Sequence, residues 1–126
     1  KGMEVRRGTF RSKPNAKIGK NVEVISRARI EINAMRLSVL QAAKAMDVLG
    51  NKEARIYISA VKAMVPEKAC LIIDQAIQMH GAAGISQWTP LAGMYTDIRH
   101  LRFADGPDEV HHMVVGRAEL QKYDLW

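Results

Sequence analysis

From Asn21 onward, apolar residues recur at alternating spacings of three and four: Ile25, Ala28, Ile32, Met35, Val39, Ala42, Met46 and Leu49. That register puts them on one helical face, with Arg27, Glu31 and Arg36 off it. It predicts a long amphipathic helix packed against neighbours at a shallow angle. Gly50-Asn51 reads as its left-handed C-cap. A second helical stretch runs from about Lys52 to Met79 with Pro66 inside it. Interior proline costs about 3 kcal/mol, so a kink or two abutting helices are expected there. Ala69, Ile72, Ile73, Ala76 and Ile77 form a broad apolar face, which predicts a central position. A loop beginning Gly81-Ala82-Ala83-Gly84 follows. A third helix starts near Pro90, with Leu91, Met94, Tyr95, Ile98 and Leu101 on one face. A fourth spans Pro107 to Lys122 and carries Val110, Met113, Val114 and Leu120. No stretch reads as a strand, a repeat or a low-complexity tract. The expected class is all-α, a helical bundle.

Composition narrows this only a little. The chain has 126 residues, 48% of them hydrophobic, enough for one domain and small for a whole enzyme. The net charge of +6 suggests nucleic acid until it is located. Residues 1–20 form an irregular leader broken by Gly2, Gly8, Pro14 and Gly19, and they hold seven basic groups against Glu4 alone. Residues 21–126, the helical domain, are balanced. The leader lacks interleaved aromatics and no recognition-helix pattern accompanies it, which argues against nucleic acid. An anionic partner such as a cofactor pyrophosphate accounts for the charge equally well. No apolar run reaches transmembrane length. Cys70, the single cysteine, rules out an internal disulfide and reads as a buried, inert thiol.

The most informative stretch is Ala104-Asp105-Gly106-Pro107, which breaks two helical patterns, with Asp108 and Glu109 opening the second. Gly106 permits a tight backbone approach, and Pro107 suits a first helical position. Asp105 therefore stands at a sharp turn beside a positive helix end. Two readings compete. Asp105 is the N-cap of the following helix, or the turn presents a base to a ligand.

Other constellations are weaker. His111 and His112 are adjacent and face different sides of a helix, while His80 and His100 sit in other elements, so no metal-ligand spacing arises. His100 is expected to be exposed and His80 to lie at a helix end. No nucleophile–base signature occurs. Gln78-Met79-His80-Gly81-Ala82-Ala83-Gly84 ends a helix instead of opening one after a strand, so it is not a dinucleotide fingerprint. On local chemistry it is a helix end and a turn.

Ala104-Asp105-Gly106-Pro107-Asp108-Glu109-Val110-His111, preceded by the segment Gln78–Tyr95, resembles the C-terminal helical domain of the acyl-CoA dehydrogenase family. The resemblance is to a branch with Asp where most members have a Tyr-Glu-Gly-Thr turn. It runs from about Arg7 to Leu120, and the two motifs stand in the right order, joined by helices of the right length. It implies FAD as cofactor, an acyl-CoA thioester as substrate, and α,β-dehydrogenation with Asp105 as the base and Gly106 beside the substrate. It also implies cofactor contacts from Gln78, Met79, His80, Gly81 and Ala82, and from Pro107, Asp108 and Glu109. Arg7, Thr9 and Phe10 match an Arg-x-Thr-Phe-Gly segment that reaches a neighbouring subunit's FAD. Without the resemblance they are an ordinary basic loop.

The departures matter. Arg11 replaces a glycine, Ala82 replaces the second glycine of Gln-x-x-Gly-Gly, and Ala104 replaces the tyrosine, which would widen the site. A methyl at 82 is tolerated only if the local φ is negative. Aspartate reaches about 1.5 Å less far than glutamate, the scale of one C–C bond. The family domain is a four-helix bundle whose first helix would precede Arg7, so this bundle is expected to be incomplete, to need upstream flavin-binding domains, and to be inactive alone. A dimer or tetramer is implied, with the electron acceptor left open. The setting implied is intracellular: mitochondrial or peroxisomal in a eukaryote, cytoplasmic in a bacterium. The rival reading is a non-catalytic helical module for oligomerisation or docking.

Overall fold

The computed structural model describes residues 19–126; Arg7, Thr9, Phe10 and Arg11 lie outside the described residues. Three helices, α1 (Lys20–His80), α2 (Leu91–His100) and α3 (Asp108–Gln121), are joined by a 3-10 turn at Gly81–Ile85 and by the turn containing Asp105. No strand occurs among the described residues, in keeping with the all-α expectation. No helix is long and apolar enough to cross a membrane.

The first two expected helices are the two arms of α1, hinged at Gly50. Its φ of 78° and ψ of 172° are the one non-helical pair within α1. This is an extended, glycine-only conformation, not the left-handed cap expected, so the chain re-enters helix at once. Lys68 Nζ lies 3.1 Å from Glu31 Oε1 across 37 residues. The two sit at similar distances either side of Gly50, so the arms run antiparallel. Ala42, Ala45 and Ala54 are buried near the hinge, where small side chains let the arms close.

The kink expected at Pro66 is absent from the backbone angles. Pro66 is buried within a helical run. It belongs to a stripe of Ser59, Ala63, Pro66, Cys70 and Ile73, all buried, at spacings of four and three. Burying the ring there offsets the missing hydrogen bond. Helices α2 and α3 and the 3-10 turn all pack on α1, and the contacts of Ser59 with His111, Lys62 with Leu101 O and Ile77 with Gly84 put them on its second arm, the central element that its apolar face predicts.

The first-arm stripe is only half right. Met35 and Ala42 are buried, but Ile32, Val39, Met46 and Leu49 are exposed at 38%, 42%, 37% and 51%. The buried positions of this arm are Met35, Ala42 and Ala45, a narrower strip than the apolar stripe itself. No large side chain among the described residues is fully buried.

Candidate functional site

The turn from Leu101 to Asp108 is built by sequence and then held from outside. Ala104 N–H closes α2 by donating to His100 O at 3.0 Å. Asp105 follows with φ 55° and Gly106 with φ 101°. A left-handed conformation suits glycine and is tolerated by aspartate at a cost of roughly 1 kcal/mol. Asp108 N–H then donates back to Arg102 O at 3.0 Å, closing the loop.

The N-cap reading of Asp105 fails. Helix α3 begins at Asp108, its cap is Pro107, and no side chain caps it. A cap at 105 would start the helix two residues earlier. Pro107 is likewise the cap residue and not the first helical one. Asp105 is exposed, and its carboxylate makes no hydrogen bond or ion pair among the described residues. A free carboxylate at a strained turn is available to a ligand. In the first turn of α3 beside it, Arg102 O and Pro107 O take the N–H groups of Asp108, Val110 and His111, which leaves that of Glu109 for a ligand oxygen.

Four side chains with no part expected for them in this turn, Ser59, Lys62, Arg102 and His111, build its surroundings. Lys62, half-buried on α1, donates from Nζ to Leu101 O at 2.6 Å and to Gly106 O at 3.1 Å. His111 on α3 bridges Asp105 O, 3.2 Å from Nε2, and Ser59 Oγ, 3.3 Å from Nδ1. Arg102 holds Asp108, Nε to Oδ2, at 2.6 Å and approaches Glu67 at 4.0 Å. The hydrogen bond to Asp108 raises the pKa of the Arg102 guanidinium further. Of the residues expected near the cofactor, Pro107 and Glu109 are exposed, whereas Asp108 is buried with its carboxylate on Arg102. No local pattern marks Lys62 or Ser59, since their partners lie 39 to 52 residues away.

The other expected cluster lies at the end of α1. Gly81 terminates the helix at φ 59°, its N–H donating to Gln78 O, and a Cβ there would meet nothing within 4 Å. Ala82 is outside the positive-φ region, so its methyl is tolerated. Gln78 is exposed, and His80 donates locally from Nδ1 to Ala76 O at 2.7 Å. Beside them is a groove of about 450 Å³ lined by Lys20, Asn21, Val24, Gln75, Gln78 and Met79. The amides of Gln75 and Gln78 and the ammonium of Lys20 suit a polar ligand group.

His100 is exposed as expected. Among the described residues no group of His, Cys, Asp or Glu could hold a metal. Cys70 is buried, and burial pushes its thiol up against the opposing pull of Arg102 and Arg99.

Residues 22–120 match the family model described as acyl-CoA dehydrogenase, C-terminal domain. The chain is 50% identical over 109 residues to acyl-CoA dehydrogenase family member 10 of Mus musculus, covering 86% of this chain and 10% of that protein. It is 50% identical over 97 residues to family member 11 of Rattus norvegicus, covering 77% of this chain and 12% of that protein. A solved structure described as "a putative acyl-CoA dehydrogenase from Mycobacterium abscessus" superposes with a TM-score of 0.89 at 47% identity. It covers 94% of this chain and 29% of the other. The chain therefore spans only a small part of the length of these relatives.

Proposed function

The chain belongs to the acyl-CoA dehydrogenase family, matching its C-terminal domain, and from that premise we propose that it supplies the base for α,β-dehydrogenation of an acyl-CoA thioester. The observation that carries this reading is the free, exposed carboxylate of Asp105 on a left-handed turn held by Lys62 and His111.

Asp105 removes the α-proton of the thioester, becoming neutral, while a hydrogen leaves the β-carbon with its bonding pair. FAD, when bound, supplies the two-electron acceptor for that pair. Gly106 keeps the turn narrow where the thioester lies. Ala104 leaves room for a bulkier chain. Gln78 and Gly81 would hold the cofactor at the end of α1, with Lys20 as a nearby cation, and Arg7, Thr9 and Phe10 would reach a neighbour's cofactor. Upstream flavin-binding domains and a homo-oligomer belong to this reading, and the isolated chain would be inactive.

The uncovered apolar surface of α1 also favours a second reading, a docking module without chemistry. Purification of the full-length protein carrying this domain separates the two. The enzyme reading expects a yellow protein that acyl-CoA bleaches without oxygen. A colourless protein that acyl-CoA leaves unchanged supports docking.

A further inference from the structure

The carbonyls of two successive residues, Asp105 and Gly106, are each gripped by a side chain from another element. Gly106 O accepts from Lys62 Nζ at 3.1 Å. Asp105 O lies 3.2 Å from His111 Nε2. A carbonyl oxygen can only accept, so Nε2 carries the proton, and in the neutral ring Nδ1 accepts from Ser59 Oγ at 3.3 Å. Ser59 is 4% exposed and fixed on the central arm of α1. The ring also lies directly against Gly106: a Cβ at that position would come 2.9 Å from Nε2. The adjacent His112 is exposed and takes no part.

A positive φ costs even aspartate roughly 1 kcal/mol, so how firmly it is held depends on what enforces it. Here the enforcement comes from Lys62 and His111, and through them from α1. Resting on the reading of Asp105 as the base, we propose that His111, oriented by Ser59, and Lys62 are positioning residues that aim the Asp105 carboxylate at the substrate's α-carbon. Neither reaches the reacting atoms. Each acts through a main-chain carbonyl of the turn.

A base misplaced by about 1 Å can cost on the order of 10²-fold in rate. The test uses the full-length flavoprotein and the saturated straight-chain acyl-CoA that the wild type oxidises fastest. Crystal structures and anaerobic flavin-reduction rates are compared for His111→Leu, His111→Gln and Lys62→Met. Glutamine puts an amide N–H near the place of Nε2, and leucine offers none. In His111→Leu, Asp105 should leave the left-handed region and kcat should fall about 10²-fold with KM little changed. His111→Gln should recover most of the rate and the native turn. Lys62→Met should behave like His111→Leu.

If His111→Leu keeps both the turn and the rate, the proposal is overturned. It is also overturned if the rate falls while the turn stays in place, because His111 would then act by another route. A displaced turn with an unchanged rate upholds the positioning and refutes Asp105 as the base. Should His111→Leu fail to fold, Ser59→Ala keeps the ring and releases Nδ1. It should lower the rate in the same direction by less, and a wild-type rate in both Ser59→Ala and Lys62→Met overturns the proposal.

Discussion

Arg102 Nε donates to Asp108 Oδ2 at 2.6 Å, an ion pair that closes the base of the turn carrying Asp105. Asp108 is 5% exposed, and its other oxygen has no partner among the described residues. Removing the cation therefore strands a buried carboxylate. Arg102→Met should lower the thermal midpoint of the full-length protein by several degrees in calorimetry. Arg102→Met with Asp108→Leu should recover part of that loss, because no unpaired charge remains. A single mutant as stable as wild type would mean that the pair does not hold the turn.

Two glycines should respond oppositely to alanine. A Cβ on Gly84 would lie 2.6 Å from the backbone oxygen of Ile77, an atom that cannot swing aside. Gly84→Ala should destabilise by about 1–3 kcal/mol, the range for overpacking. Gly93 sits on α2 with nothing within 4 Å of the same atom and without positive φ. Gly93→Ala should stabilise by about 1 kcal/mol through helix propensity. Denaturant midpoints check both signs.

Cys70 should resist alkylation in the native protein and react once it is unfolded. Burial is the main cause, and it raises the thiol's pKa above its ordinary value. A group whose folded pKa is raised contributes its stability in full below the unfolded value. Cys70 should therefore leave stability unchanged below about pH 8.5, its unfolded pKa, and subtract from it as pH climbs through the higher folded value. Cys70→Ala should flatten that alkaline decline, measured by thermal melts across the alkaline range.

The isolated 126-residue chain should self-associate. Ile30, Leu37 and Val48 are 65%, 67% and 64% exposed, and helical periodicity places them on the side of α1 away from Met35 and Ala42. Such a patch favours association. Sedimentation velocity should show mass rising with concentration, and Leu37→Glu with Val48→Glu should reduce it. A monomer at high concentration contradicts this.

How much of this was legible follows from the range of the interactions. The helices were readable because periodicity and Gly50, Gly81 and Pro107 act over a few residues. The outer half of the Ile25–Leu49 stripe was misjudged because periodicity gives a face and not what covers it. Pro66 was misread for the same reason: its burial against neighbouring elements outweighs the local rule. At the site, Asp105 stood out from its turn alone, yet its capping role was wrong. Consecutive positive φ values at Asp105 and Gly106 delay the helix to Asp108. Lys62, Ser59 and His111 were illegible because their hydrogen bonds join residues 39 to 52 apart, or run from a ring to a main-chain carbonyl.

As the base, Asp105 would act through its charge. Asp105→Asn preserves the side chain's size and its tolerance of left-handed backbone, but the amide cannot accept an α-proton. The direct measurement is stopped-flow loss of flavin absorbance when acyl-CoA meets the full-length protein without oxygen. Asp105→Asn should fold, retain FAD and bind acyl-CoA, and its flavin should be reduced about 10²–10⁴-fold more slowly, the usual cost of losing a general base. Asp105→Glu should keep measurable activity. If Asp105→Asn reduces flavin at the wild-type rate, Asp105 is not the base, and Glu109 is the carboxylate to examine instead.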